Sequence, residues 1–137
     1  MAQAMAAGMV TSLLTPPFVG SDRGDVYVYS DLSSMYADIE AVDASSMDLF
    51  DATGRPLRIV VEGPTWTIDP DRIDPPEPER LISILRSYFA RLPKKFADYA
   101  TRAAASPGLE DLLNLRQELA REPAPGVWAR FFGRSWG

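Results

Sequence analysis

The chain has 137 residues, a formal net charge of −5, and neither cysteine nor histidine. These absences exclude disulfide and thiol chemistry, imidazole-based zinc sites and a Ser–His–Asp triad. Any catalysis would depend on carboxylates, Tyr, Lys, Arg or hydroxyl groups. The length and the 46% apolar composition predict one globular domain over residues 1–137.

The charge is unevenly distributed along the chain. Residues 1–80 carry fourteen acidic and five basic side chains, a net of −9, whereas residues 81–137 carry five acidic and nine basic ones, a net of +4. The two parts are therefore expected to attract partners of opposite charge.

Residues 1–20 are predicted to form an apolar arm or a short helix that ends near Pro16-Pro17. No Lys or Arg precedes the apolar run, which argues against a secretory signal. The run is also far shorter than the roughly 20 residues that span a bilayer. With the missing cysteines, this predicts a cytoplasmic protein that does not bind membranes.

Residues 25–70 are predicted to form a βαβββ module. The alternating "DVYVYS" over 25–30 indicates a strand, and a short acidic helix then starts at Ser30 or Asp31 and ends near Val42. Further strands are predicted over 47–51, 57–62 and 65–69, joined by the turns "DATGR" and "EGPT". Leu57, Ile59 and Val61 share one face of their strand, which is expected to pack on the helices.

Residues 75–137 are predicted to form a helical half that ends in an aromatic tail. Asp74 is a candidate cap, followed by helices over 76–91, from Pro93 to Pro107, and from Leu109 to the "PAPG" break. The predicted fold class is α+β, with a four-stranded, mainly antiparallel β-α-β-β-β sheet and three to four helices packed on one face.

The tail "GVWARFFGRSWG" holds four large aromatics and two arginines but no acidic residue. If it is helical, Trp128, Phe131 and Phe132 form one stripe, which favours packing on the core. The alternatives are an interface, including a homo-oligomer formed through this tail, and a weak membrane anchor.

A cluster of carboxylates surrounds the first predicted helix and the hairpin: Asp38, Glu40, Asp43, Asp48 and Asp51. Their positions between apolar residues indicate an exposed acidic face. A second acidic run, "DPDRID", lacks the glycine and glutamate of an EF-hand loop. No phosphate-binding glycine loop or nucleophile elbow is present, and the basic residues are too scattered to indicate nucleic-acid binding. We therefore expect no metal, no cofactor and no nucleic-acid partner.

The stretch "VYVYSDLSSMYADIEAVDASSMDLFDATGRPLRI" resembles small acidic proteins of actinomycete type, over about residues 25–90. Some of these proteins are encoded beside polymorphic toxins and are thought to be immunity proteins. The resemblance implies steric blockade of a toxin's active cleft, often by acidic residues, and it implies no catalytic residues.

The residues and the resemblance together predict a non-enzymatic immunity protein that binds a cognate toxin. The predicted partner-binding residues are the five carboxylates, with Tyr36 and Trp66 as aromatic anchors. Two alternatives stay open. One is a small-molecule-binding protein or carboxylate-based enzyme with a pocket between sheet and helices. The other is a self-associating structural subunit.

Overall fold

The computed structural model describes residues 13–121, which contain five β-strands and five α-helices. The strands are β1 (Phe18–Asp22), β2 (Asp25–Tyr29), β3 (Asp48–Phe50), β4 (Leu57–Glu62) and β5 (Thr65–Ile73). The helices are α1 (Leu32–Asp38), α2 (Ala41–Ala44), α3 (Pro78–Ala90), α4 (Ala97–Ala105) and α5 (Leu109–Ala120). A short 3-10 helix, Lys94–Phe96, precedes α4. The predictions about residues 1–12 and about the aromatic tail lie outside the described residues.

The α+β class is confirmed, but the single four-stranded sheet is wrong. The strands form a three-stranded antiparallel sheet in the order β2-β1-β3 and a separate two-stranded sheet of β4 and β5. Strand β1 lies in a stretch that was expected to belong largely to the N-terminal arm. It takes the central position, where β3 pairs with it instead of forming a hairpin with β4. Between the two sheets, Phe50 of β3 forms an isolated bridge with Pro56, the residue before β4.

Each face of the three-stranded sheet covers a different hydrophobic cluster, because side chains alternate along a strand. Val19, Val26 and Phe50 point to the cluster formed with α3, α4 and α5. Phe18, Tyr29 and Leu49 point to a second cluster, completed by α1, α2 and the β4–β5 hairpin. The helical half therefore covers one face, as expected. The hairpin packs on the opposite face, so its apolar side does not face the long helices.

Helix α3 begins later than the sequence pattern predicts. Pro78, not Pro75, occupies the first turn, where its missing N–H costs no hydrogen bond. Asp74 does not cap the helix. Its carboxylate instead pairs with Arg58, a residue of β4, at 2.5 Å. The hydrogen bond with Arg58 lowers the pKa of Asp74.

An arginine on the apolar stripe of α5 is almost completely buried. Arg116 is 1% exposed, and its Nε and Nη2 atoms donate to the Val26 carbonyl at 3.1 and 2.9 Å. Its guanidinium lies over the Tyr88 ring, 5.3 Å from the centroid. These contacts join α5 to strand β2 and to α3. The sequence signal was its helical spacing from Leu112 and Leu119, which places it on the buried face.

Gly54 is expected to be far less tolerant of a side chain than Gly63. Both have positive φ, 85° and 60°, so alanine costs each about 1 kcal/mol in backbone strain. A Cβ on Gly54 would lie 2.7 Å from the Pro78 backbone, whereas nothing lies within 4 Å of one on Gly63. We expect Gly54→Ala to lower the unfolding free energy by a further ~1–3 kcal/mol, measured by urea denaturation. Equal losses in the two variants would contradict this close packing.

Stability at alkaline pH is expected to depend on Tyr88. Burial raises the pKa of its hydroxyl from 10.0 to about 12, so the folded state holds this proton more tightly than the unfolded state. The resulting stabilisation, about 3 kcal/mol, is complete below pH ~10 and is lost as the pH rises towards ~12. Urea denaturation across this range, compared with Tyr88→Phe, isolates the contribution. The same pH dependence in both proteins would contradict it.

Candidate functional site

The carboxylates Asp38, Glu40, Asp43 and Asp48 lie at the surface along one continuous stretch, from the end of α1 to the start of β3. We call residues 38–48 the acidic segment. Glu40 and Asp48 are exposed, whereas Asp38 and Asp43 are partly buried. The predicted acidic face is thus largely present as a surface feature, on the side of the sheet that carries α1 and α2.

A break between two short helices shapes the acidic segment. Asp31 caps α1 by accepting from the Ser34 N–H at 2.7 Å, and this backbone hydrogen bond lowers the pKa of Asp31. The helix ends at Ile39, and Glu40 is extended at the start of α2. Because α2 is one turn long and buries Ala41 and Ala44, the intervening positions point outwards. The sequence predicted one helix that ends near Val42, whereas the structure has two short helices separated at Ile39 and Glu40.

The carboxylates of the acidic segment differ in how far the fold already uses them. Asp38 accepts a 2.6 Å hydrogen bond from the Tyr29 hydroxyl. Asp48 forms a 2.9 Å ion pair with Arg80 on α3. Glu40 is exposed at the N-terminus of α2 and makes no side-chain cap to that helix. Glu40 is therefore the carboxylate of this segment that is most available to a partner.

Asp51 does not belong to the exposed face, which corrects the expectation from the sequence. It is 0% exposed, and its carboxylate accepts from Thr15 N, Thr53 N, Thr53 Oγ1 and Arg55 N at 2.6–3.1 Å. The Arg55 Nε atom lies 3.8 Å from it. Asp51 therefore holds the β3–β4 loop in place and has no surface for a partner.

Tyr36 and Trp66 are brought together at the second hydrophobic cluster, where Trp66 is a core residue and Tyr36, which is partly buried, packs against it. Their rings pack edge to face with centroids 4.7 Å apart. Trp66 is buried, and its Nε1–H donates to the Ile39 carbonyl at 2.7 Å. The Ile68 N–H donates to the Tyr36 hydroxyl at 3.3 Å, and burial raises the pKa of this hydroxyl. Trp66 is therefore not available as an anchor for a partner.

Two valines of the described residues are exposed. Val42 on α2 is 74% exposed, and Val61 on β4 is 42% exposed. The sequence predicts a helix end near Val42, and it places Val61 on a strand face that packs on the helices.

Two surface grooves lie away from the acidic segment. One, of about 530 Å³, runs between α4 and α5 and is lined by residues that include Arg102, Asp111 and Glu118. Arg102 and Glu118 pair there at 2.7 Å, so their charges largely satisfy each other. The other, of about 320 Å³, lies between Pro16-Pro17 and the start of α5. Neither groove is lined by a predicted site residue.

Within residues 13–121, no three or more Asp or Glu side chains are grouped so that they could hold a metal ion. Over the same residues, none of the helices has the length and apolar character needed to cross a membrane. Comparison of the chain with protein-family models, with curated proteins and with solved structures finds no match.

Proposed function

We propose that the chain is a non-catalytic protein-binding module that acts as an immunity protein in the cytoplasm. In this role it binds a cognate toxin and covers the toxin's active cleft. The observation that carries the proposal is the acidic segment, in which four carboxylates reach the surface along one stretch of chain. The binding surface excludes Asp51 and Trp66, because both are buried.

The charge of the chain supports a basic partner. The acidic segment belongs to residues 1–80, whose net charge is −9. A surface of one sign speeds the encounter with a surface of the opposite sign, and this steering weakens as salt screens it. Toxins that act on nucleic acids or other polyanions need basic clefts, so they are the class that such a surface would block.

Purification of the tagged chain from cells of its native host tests this function. We expect a basic protein to co-purify at low salt, and its association rate to fall as the salt concentration rises. Production of that protein alone should arrest growth, and the added chain should restore it. If no protein co-purifies, or if the co-purified protein is not toxic, the proposed function is wrong.

Matched charge reversals locate the surface. Glu40→Lys should slow association several-fold, because it places a positive charge at the most available carboxylate of the acidic segment. Glu110→Lys changes the net charge by the same amount but lies on α5, in the helical half. It should leave the association rate nearly unchanged. Equal slowing by both would mean that net charge, and not the acidic segment, drives binding.

A further inference from the structure

Strand β4 has one edge that no other strand of the described residues covers. It pairs with β5 alone, in the two-stranded sheet. The Ile68 N–H donates to the Tyr36 hydroxyl, so it points away from β4. Ile59 is the register partner of Ile68, and its N–H and carbonyl therefore point away from β5. The same groups of Val61, two residues further on, point to the same side. The outer edge of β4 thus presents the backbone of Ile59 and Val61.

The rest of the described chain leaves these backbone groups unused. Within residues 13–121, no hydrogen bond from outside the β4–β5 ladder reaches the backbone of Ile59 or Val61. Strand β3 meets this side of the hairpin at Pro56, just before β4 begins. Val61 is exposed and Ile59 is partly exposed. An unpaired edge of this kind is a template on which another strand can add.

The outer edges of β2 and β5 are less suited to strand addition. On β2, the Val26 carbonyl already accepts from the Arg116 guanidinium. On β5, the Tyr36 hydroxyl occupies the Ile68 N–H, and Pro70 has no N–H to donate. Strand β4 contains no proline and makes no such contact along its edge. Among these three strands, β4 is therefore the edge at which strand addition is expected.

The side chains of β4 are complementary to a second copy of the same strand that runs in the opposite direction. Ile59 packs against the second hydrophobic cluster, so Arg58, Val60 and Glu62 project from the other face. With a two-fold axis at Val60, Arg58 lies opposite Glu62 of the second copy. Ile59 then lies opposite Val61 and exchanges both backbone hydrogen bonds with it. This register pairs opposite charges on one face and aliphatic side chains on the other.

The neighbouring registers lack this complementarity. An axis at Ile59 sets Arg58 opposite Val60, and an axis at Val61 sets Glu62 opposite Val60, so no charge meets its counterpart. A slip of one residue would set the outward backbone groups of one copy against groups that the other copy uses in its own hairpin. The register centred on Val60 is therefore the one that the sequence of β4 favours.

We propose that the edge of β4, residues 58–62, is a self-association surface through which two copies of the chain form an antiparallel β5-β4-β4-β5 sheet. The opposite charges of Arg58 and Glu62 select a second copy as the occupant. Arg58 binds Asp74 through Nε, and its guanidinium has further N–H donors for Glu62 of the second copy. The inference does not depend on the proposed function, because it uses no carboxylate of the acidic segment.

Sedimentation of the full-length chain over a concentration series, up to near-millimolar, tests the inference. We expect a monomer–dimer equilibrium. Arg58→Glu and Glu62→Arg should each weaken the dimer about tenfold, because like charges then face each other at two places. An equimolar mixture of the two variants should dimerise again, since every Glu then faces an Arg. Glu79→Arg on α3 makes the same change in net charge as Glu62→Arg. It is the matched control and should leave the equilibrium unchanged.

A single introduced cysteine tests the register, because the chain has none of its own. Across the axis, the two Val60 Cα atoms are expected about 4.5 Å apart, within the range of a disulfide. Val60→Cys should therefore form a covalent dimer under mild oxidation. Thr67→Cys is the matched control, since Thr67 is the register partner of Val60 on β5. Its counterpart lies three strand spacings away, about 14 Å, so it should cross-link far less.

Three results would each overturn the inference: a parent chain that stays monomeric throughout the series, charge variants that do not associate when mixed, or cysteine variants that cross-link equally. Circular dichroism should show that every variant is folded. Arg58→Glu also loses the pair with Asp74. If it does not fold, Glu62→Arg and the two cysteine variants still decide the question. The proposed function fails separately, if no toxic partner exists, whether or not the chain dimerises.

Discussion

Replacement of Asp51 by alanine is expected to lower the free energy of unfolding by about 3–5 kcal/mol, because four donor groups lose a buried acceptor. Thr15, Thr53 and Arg55 all donate to this carboxylate, which is 0% exposed. The loss should appear in urea denaturation of the purified variant, with no partner present.

Asp48→Asn is the natural comparison for Asp51→Ala. Asp48 pairs with Arg80 at the surface, with more than half of its side chain exposed, so its loss should cost less than about 1 kcal/mol. If Asp51→Ala were as stable as Asp48→Asn, Asp51 would not organise the loop. Asp51 would then return to the set of predicted partner-binding residues.

Replacement of Trp66 by alanine should be similarly damaging, lowering the unfolding free energy by about 3–5 kcal/mol. The change removes a buried ring that packs on Tyr36, and it leaves the Ile39 carbonyl without its indole donor. Trp66→Phe retains most of the packing and should cost about 1–2 kcal/mol, mainly for the lost hydrogen bond. Denaturant titrations of both variants separate the two contributions.

The Tyr36→Phe variant tests the link between α1 and strand β5. It removes the hydroxyl that accepts from the Ile68 N–H and should cost about 1 kcal/mol. A double-mutant cycle of Tyr36→Phe with Trp66→Phe should show coupling, since the two rings are in contact. A Trp66→Ala variant that kept its stability and lost partner binding alone would contradict the core position of this ring.

Local patterns in the sequence predicted most of the individual elements. The alternation over 25–30 matches β2, and the leucine spacing after Pro107 matches α5. The prolines predicted the start of α3 less well, because the sequence offers two candidate starts. One is Asp74-Pro75 and the other is Pro78. Arg58, which lies on strand β4, binds the Asp74 carboxylate, and the helix begins at Pro78. That contact joins residues 16 positions apart, so no local pattern could show it.

The sequence predicted the exposure of four of the five carboxylates, but it did not predict the burial of Asp51. Asp38, Glu40, Asp43 and Asp48 lie at the surface, as acidic residues commonly do. Asp51 has the same chemistry and the same kind of neighbours in the sequence, yet it is buried. What distinguishes it is the set of donors that the loop and Thr15 bring around it. Burial of a charge is decided by such partners, which sequence spacing does not reveal.

By itself, the sequence determined the α+β class, the positions of the helices after Pro78 and the acidic character of residues 1–80. These properties depend on neighbours three or four residues apart and on composition. Only the tertiary structure decided that β1 lies at the centre of the sheet and that Trp66 is buried while Val42 is exposed. Strand pairing and burial depend on which distant segments compete for the same edge or face. For this protein, that competition separated β3 from β4, which lie in different sheets.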